Sequence, residues 1–598
     1  MIWARLRAIE NGLVRVLPPF TLLIFLCCAG SVLAQDAATA YQGTTPLFKA
    51  NASAVAVDVV VSKCDDEPVR GLSKQDFEVL EDGKPQTVDF FAEHTASDVP
   101  LAAPAQMPAN EYANLPTAPA SDSVNVLLLD TLNTEPLDQI NVRRQIDRFV
   151  AKIRPGTPVA IFSLGSKLKL VQDFTADAAL LRAALSSKHA EGTSGARIAV
   201  ESRGDEADAN MQKALMAMSG ATDAGSPALM QLKAEDRALL TLQALEQLSR
   251  NLAGVPGRKN LIWFASSFPV AIFPTVREQQ SFNHGPEFTG ALHQTADLLT
   301  ASRVAVYPVD AEGIHIDRST GVDSGGSSEG DNLAQDQALD LANHSANIAA
   351  MEQLAGDTGG EALYTSNNMS QAVARAMEYG AHYYTLIYTP PSTPVDGKFH
   401  RIEVKLAQGK YKLAYRRGYY ADSAMAPAAA QSADPLVPVM AHGAPSATQV
   451  LYRVRVQPAA VQPAPDARRA GGNAKLRGPL MRYSVDFNIS AASLELESAA
   501  DGAHTARIEL ALLAYDREGK PLNWTGGSMN MSLNAASYAK AQRSGIGARM
   551  EIDLPEGDVS LASGVYDLIA RKAGALEILL DVRGAPTAVN SLATPRSQ

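Results

Sequence analysis

The chain of 598 residues carries 53 Lys and Arg against 64 Asp and Glu, a net charge of -11, and 46% of its residues are hydrophobic. That length and apolar content predict two to four domains, each able to bury its own core. With neither a basic stripe nor a basic block, the composition excludes nucleic acid as the expected partner, because phosphate binding calls for a concentrated cationic face.

The first 34 residues read as an export signal, with Arg5, Arg7 and Arg15 ahead of an apolar run from Phe20 to Cys28 and the small-residue step Val32-Leu33-Ala34. The unbroken apolar stretch is shorter than the roughly 20 residues that span a bilayer. Cleavage after Ala34 is therefore expected, with an uncleaved anchor as the alternative. Leu26 before Cys27 is larger than the residue a lipidation signal wants. No later run reads as transmembrane, so the mature chain is expected to have no membrane span. Beyond the signal Cys64 is the sole cysteine, which leaves no intrachain disulfide and no cysteine metal cluster to expect.

Val55, Val57, Val59 and Val61 alternate as in a half-buried strand, and Phe77 to Leu80 and Thr87 to Phe91 read as two more strands about the turn Glu81-Asp82-Gly83-Lys84. Residues 45–94 are thus predicted to be a small β unit, and the Pro/Ala-rich residues 95–123 a linker. From Val124 strands alternate with helices, the signature of a mostly parallel sheet. Strands are predicted at Val124 to Leu129, Val159 to Ser163, Leu168 to Gln172, Asn260 to Phe264, Val304 to Val309 and Tyr383 to Tyr388. Helices are predicted at Leu137 to Ile153, Ala176 to Ser187, Ala234 to Leu252, Gly290 to Thr300, Ala346 to Ala355 and Met369 to Tyr379. A hairpin of Arg401 to Leu406 and Tyr411 to Tyr415 is expected to close this α/β domain, 124–421, which carries insertions near 188–232 and 311–343. A second linker, 424–446, precedes strands that return without long helices, read as a C-terminal β-sandwich over 447–583, with a disordered tail at 584–598.

The stretch Val124-Asn125-Val126-Leu127-Leu128-Leu129-Asp130-Thr131-Leu132-Asn133-Thr134 resembles the first strand and metal-site loop of von Willebrand factor type A domains. More narrowly the chain resembles the secreted von Willebrand factor A-related proteins of acidobacteria. Supporting stretches are Val69 to Lys84, Gly257-Arg258-Lys259-Asn260-Leu261-Ile262 and Val306-Tyr307-Pro308-Val309-Asp310. The resemblance implies a central, doubly wound, Rossmann-like sheet. It also implies an adhesion-type function in which the domain binds another protein or a cell-surface ligand.

In that family a metal-dependent adhesion site is written Asp-x-Ser-x-Ser, completed by a Thr and an Asp from other loops, and holds a hard divalent ion on oxygen ligands. Here Asp130 and Thr134 match the outer positions, but Leu132 takes the middle one, and the later loop reads Trp263-Phe264-Ala265-Ser266-Ser267-Phe268-Pro269 without an acid. The site is degenerate. Residual binding of Mg²⁺ or another divalent cation would rest on Asp130 and Thr134, with Ser266 or Ser267 assisting. The alternative has Asp130 accept hydrogen bonds from the amides that open the next helix, with Thr134 as a local cap. The expected ligand-facing rim comprises Asp130, Thr131, Asn133, Thr134, Ser266, Ser267 and Asp310, Asp310 having helix capping as its other reading.

Other sites read less sharply. Asp323, Glu329, Asp331 and Asp336 lack the ordered spacing of a Ca²⁺ loop and suit a solvated segment. No nucleophile elbow, zinc-protease helix or phosphate-cradling loop occurs. His284, His293, His382 and His400 suit ordinary core or surface histidines, and Tyr383, Tyr384, Tyr388, Tyr419 and Tyr420 suit the packing of the last strands. No enzyme is therefore expected, a structural envelope scaffold and a hydrolase of unknown type being the alternatives.

Overall fold

The computed structural model describes residues 54–63, 67–95, 107–116, 122–134, 136–151, 153, 156–185, 227–266, 295–311, 345–364 apart from 346, 369–390, 398–420 apart from 408, 435–460, 462, 469–498 and 503–583. The expected signal segment, most of both insertions and the tail lie outside them. It is a mixed α/β structure with several antiparallel sheets and one mixed sheet. No described helix is long and apolar enough to cross a membrane.

The chain opens with β1 (Val55–Ser62), whose alternating valines are buried, followed by β2 (Phe77–Glu81), β3 (Lys84–Gln86) and β4 (Val88–His94). Asp82 and Gly83, at φ 49° and 77°, make the tight turn that pairs β2 with β3. Left-handed backbone at both positions is what Asp-Gly tolerates. β5 (Glu111–Ala113) falls inside the expected linker yet is an ordered edge strand of the C-terminal unit. Asn114 fixes it there, donating to the carbonyls of Ala447 and Val450 and accepting from the amide of Tyr452.

The α/β unit follows: β6 (Ser123–Asp130), α1 (Pro136–Val150), β7 (Val159–Leu164), β8 (Leu168–Thr175), α2 (Ala178–Leu185), α3 (Pro227–Leu252), β9 (Arg258–Ala265), β10 (Val304–Asp310) and α4 (Met369–Ala381). α3 begins at Pro227, inside the expected insertion. The sheet order is β10-β9-β6-β7-β8, with β8 antiparallel and the other three pairings parallel, so the sheet is mixed. β6, β7, β9 and β10 are buried at every position, the polar Asn125, Arg258, Lys259 and Asn260 included, as befits strands covered on both faces. Residues of α1, α2 and α4, such as Ile146, Leu181 and Ala376, pack on one face. Leu248 of α3, Leu299 and Met351 pack on the other.

β11 (Tyr383–Tyr388), β12 (Phe399–Leu406), β13 (Lys412–Ala414) and β14 (Gly418–Tyr420) were expected within the α/β domain, and here the structure corrects the sequence reading. β11 inserts between β1 and β4, and β13 borders β1, while β12 pairs with β2 and β14. β12 and β13 therefore form no hairpin with each other. The two four-stranded sheets enclose one core that includes Val57, Val59, Val79, Leu386 and Val404. The N-terminal strands are half of a discontinuous sandwich rather than an independent unit. Four strands spanning residues 55–94 have too little apolar surface to close a core alone, and β11–β14 supply the rest.

The C-terminal unit comprises β15 (Tyr452–Pro458), β16 (Leu480–Ile489), β17 (Glu497–Ser498), β18 (His504–Tyr515), β19 (Pro521–Leu533), the helix Ala535–Ser544, β20 (Ile546–Pro555), β21 (Gly557–Asp567) and β22 (Lys572–Val582). One sheet runs β20-β16-β15-β5 and the other β17-β18-β21-β22 with β19 also on β18, around a core that includes Val454, Phe487, Leu512, Ile552 and Leu561. Sequence periodicity missed β19, the short β17 and the helix Ala535–Ser544. The expected turn at Asp516 is present, its Oδ1 accepting from the amides of Glu518 and Lys520. Part of the second expected linker is ordered as well, a short helix at Leu436–Val439 packed on this unit.

Both β units meet the α/β unit at one end of its sheet. Arg303, at φ 56° just before β10, donates from Nε and Nη2 to Asp58 of β1 at 3.0 and 2.7 Å and from Nη2 to Thr385 of β11 at 2.9 Å. Burial alone would raise Asp58, but Arg303 holds its carboxyl down at about 2. Tyr383 donates to the carbonyl of Asp122, immediately before β6. From the other side Thr448 donates to the carbonyl of Asn251 and accepts from the amide of Gly254, beyond the end of α3, and Gln247 donates to the carbonyl of Pro438. All of these α/β partners lie at or near the amino ends of the parallel strands.

Candidate functional site

The carboxyl ends of the parallel strands form the opposite edge. Asp130 sits opposite Leu164 of β7, Leu129 opposite Phe264 of β9, and Asp310 opposite Ala265. Thus Asp130, Ser266 and Asp310 reach one edge, where loops of parallel sheets gather ligands.

The loop after β6 is locked to that edge by its own polar groups. The Thr131 amide and hydroxyl both donate to the carbonyl of Leu164, at 2.7 and 2.8 Å. Asp130 is 2% exposed, and both its oxygens accept hydrogen bonds. Oδ1 takes the amide of Asn133 at 2.9 Å, and Oδ2 takes Asn133 Nδ2 at 2.8 Å and the Trp263 indole Nε1 at 3.0 Å. Asn133 Nδ2 also donates to Thr241 of α3 at 2.9 Å, tying the loop to the helix beside it. Burial pushes the Asp130 carboxyl up to about 6, against the pull of the Asn133 and Trp263 hydrogen bonds that favour its ionised form.

Thr134 Oγ1 accepts from the amide of Ser266 at 3.3 Å, and Ser266 Oγ donates to Asp138 Oδ2 of α1 at 2.9 Å. Thr134 thus receives a contact from across the sheet, and Glu135, between it and α1, lies outside the described residues. Gln139 of α1 donates to the carbonyls of Thr131 and Thr134. A small cleft under the loop is lined by Asp130, Thr131, Thr134, Gln139 and Arg143. There Gln139 Oε1 and Arg143 Nη2 are buried without a hydrogen-bond partner among the described residues.

This donor set does not fit a divalent cation. An ion held by Asp130 and Thr134 needs lone pairs converging on a shared point. Three N–H groups already occupy the Asp130 oxygens, one lone pair of Thr134 meets the Ser266 amide, and Leu132 contributes no oxygen. The observed arrangement matches the alternative reading in part, since Asp130 accepts from the amide of Asn133 in the approach to α1.

Of the expected rim residues, Asp130, Asn133, Thr134, Ser266 and Asp310 are buried, Thr131 is half-buried, and Ser267 lies outside the described residues. The buried residues shape the rim from beneath. Among the described residues, the exposed part of the edge is Ser166 and Lys167 in the β7–β8 turn, beside half-buried Thr131 and Leu132. Sequence reasoning passed over Ser166 and Lys167, whose signal was the short polar turn between two strands. It also passed over Trp263 as the partner of Asp130, although an indole in a fully buried strand demands an acceptor.

No protein-family model matches the chain, and no curated protein matches it in sequence. Among solved structures it is similar to an aerotolerance-related membrane protein from Bacteroides fragilis at 12% identity, covering 42% of this chain and 98% of that one with a TM-score of 0.22. The conserved hypothetical protein BatB from Bacteroides thetaiotaomicron matches at 14% identity, 43% and 98% coverage and a TM-score of 0.21. Three N-terminal domains of the type V pili tip protein Mfa5 from Porphyromonas gingivalis match at 10% identity, 83% and 77% coverage and a TM-score of 0.21. Likenesses this distant leave the function of the edge to its own residues.

Proposed function

We propose that this is an exported binding protein of the bacterial envelope or exterior, which docks another protein or a cell-surface ligand on the carboxyl edge of its mixed sheet, without a metal ion and without chemistry of its own. The sheet is read as a von Willebrand factor A-type arrangement with a degenerate metal site, and the leading segment as a signal removed near Ala34. What carries the reading is the placement of the flanking units. The contacts that anchor both β units gather at the amino edge, through Arg303, Asp122, Asn251 and Gly254, which leaves the edge at Asp130 to the α/β unit's own loops. A floor of buried, mutually bonded polar groups under a short exposed crest gives a surface of fixed shape, and rigidity reduces the entropy lost on binding.

A photo-crosslinking side chain placed at Ser166, with a control at exposed Asp173, tests this in native envelope preparations. Discrete adducts from position 166 and none from 173 are expected. Equal labelling at both positions would favour a scaffold without a dedicated binding edge.

A further inference from the structure

We propose that Glu81, Asp82 and His400 form a site for one divalent transition-metal ion of the zinc type, placed on the discontinuous sandwich rather than at the Asp130 edge. One ligand atom from each of the three lies within 4.8 Å of the others. His400 Nδ1 is 2.8 Å from Asp82 Oδ2 and 3.8 Å from Glu81 Oε1. Ligands arranged tetrahedrally at zinc distances are about 3.4 Å apart, so these separations straddle what an ion needs and small side-chain shifts close it.

The surrounding groups orient all three. Glu81 spends Oε2 on the Tyr388 hydroxyl at 2.6 Å, reaching across the sandwich, and turns Oε1 toward His400. Asp82 spends Oδ1 on the amide of Arg401 at 2.9 Å and turns Oδ2 toward the same imidazole nitrogen. The His400 ring stacks on Tyr419, centroids 5.4 Å apart at 22°, which fixes its plane. Each carboxylate thus has one oxygen held by the protein and the other aimed at a common point, the pattern of supported metal ligands.

Charge supplies a second, independent argument. The Glu81 side chain is only 8% exposed, and among the described residues no Lys or Arg pairs with it. Its neighbours are the hydroxyls of Tyr388 and Tyr419, a second carboxylate and an imidazole, while the Arg416 guanidinium stands over the Tyr419 ring. With that guanidinium engaged by a ring rather than by Glu81, a cation between the three ligand atoms suits the buried carboxylate. An imidazole beside two carboxylates selects zinc-type ions over Mg²⁺ or Ca²⁺. The Asp82 side chain, 46% exposed, keeps the site open to solvent for entry and for a water as fourth ligand. For Nδ1 to ligate, the neutral imidazole carries its one proton on Nε2, and the ion takes the place between Nδ1 and Asp82 Oδ2. The ion would join the β2–β3 turn to β12, 318 positions later in the chain, and so fasten the two halves of the sandwich.

The purified full chain, stripped with a chelator, is titrated with Zn²⁺ by calorimetry and with Co²⁺ by visible absorption. The expected result is one equivalent bound, Co²⁺ bands of tetrahedral intensity, and a thermal midpoint raised by Zn²⁺. Because Asp82 is half-exposed, Asp82→Asn keeps the fold and weakens Zn²⁺ roughly tenfold or more, and His400→Gln removes the Co²⁺ bands. Absence of saturable Zn²⁺ and Co²⁺ binding, or affinity unchanged in both variants, overturns the proposal.

Discussion

At the scale of single residues, the informative groups are buried ones that carry charge. Asp130 titrates at about 6 in the folded chain against an ordinary 3.8, burial being the main cause. The folded state therefore holds the proton more tightly than the unfolded one. Stability falls as pH rises from about 4 to 6 and is level above, a penalty on the order of 3 kcal/mol for the ionised form. In Asp130→Asn this slope disappears from denaturant unfolding measured across that range. Trp263→Phe removes one donor to the carboxylate and is expected to cost about 2 kcal/mol at pH 7.5. The loss shrinks toward its packing component at pH 4.5, where Asp130 is protonated; an equal loss at both values would mean that the indole does not serve the carboxylate. Lys259 gives the opposite sign. It is buried, donates to the carbonyl of Ser302 and is pushed down by burial to about 7 from 10.5. The unfolded state binds the extra proton, so stability rises with pH between about 7 and 10.5. Lys259→Met is expected to be more stable than the natural chain at pH 7 and to lose that rise; a variant less stable at pH 7 would contradict it.

At the scale of elements, the sequence marked most strands and helices of the α/β unit but not which segments pair. The apolar runs Val126 to Leu129, Val159 to Phe162, Leu261 to Ala265 and Val304 to Val309 mark β6, β7, β9 and β10 as buried strands, and α1 and α4 were legible from periodicity. Pairing across long separations leaves no such local mark. Val55 to Val59 find Tyr388 to Tyr384, and Glu81 finds Ile402, by closing a core that neither segment completes alone. β5 was hidden in Pro/Ala-rich sequence because three residues make no period, and side-chain bonds from Asn114 fix it in place. For the site, the edge that Asp130 reaches was legible from the strand that delivers it. The N–H groups that surround its carboxylate were not, since Trp263 and Asn133 converge on it only in three dimensions. The seam between sandwich and α/β unit rests on Arg303 and Asp58. Arg303→Met strands a buried carboxylate and is expected to cost about 3–5 kcal/mol. Pairing it with Asp58→Asn recovers part of the loss, and a strictly additive double-variant cycle would show that the pair is not coupled.

At the scale of the whole molecule, the α/β unit is inserted between the two halves of one β-sandwich and borders a second, and both anchor at the same end of its sheet. Under the proposed binding role, a unit held from behind presents its far edge in a defined direction. The most direct measurement is the affinity of the labelled chain for native envelopes, compared between the natural sequence and Ser166→Glu/Lys167→Glu, each with and without EDTA. The account predicts saturable binding that EDTA leaves unchanged and that the double variant weakens at least about tenfold, about 1.4 kcal/mol, with the thermal midpoint unaltered. Binding indifferent to the double variant, or abolished by EDTA in the natural chain, would contradict it.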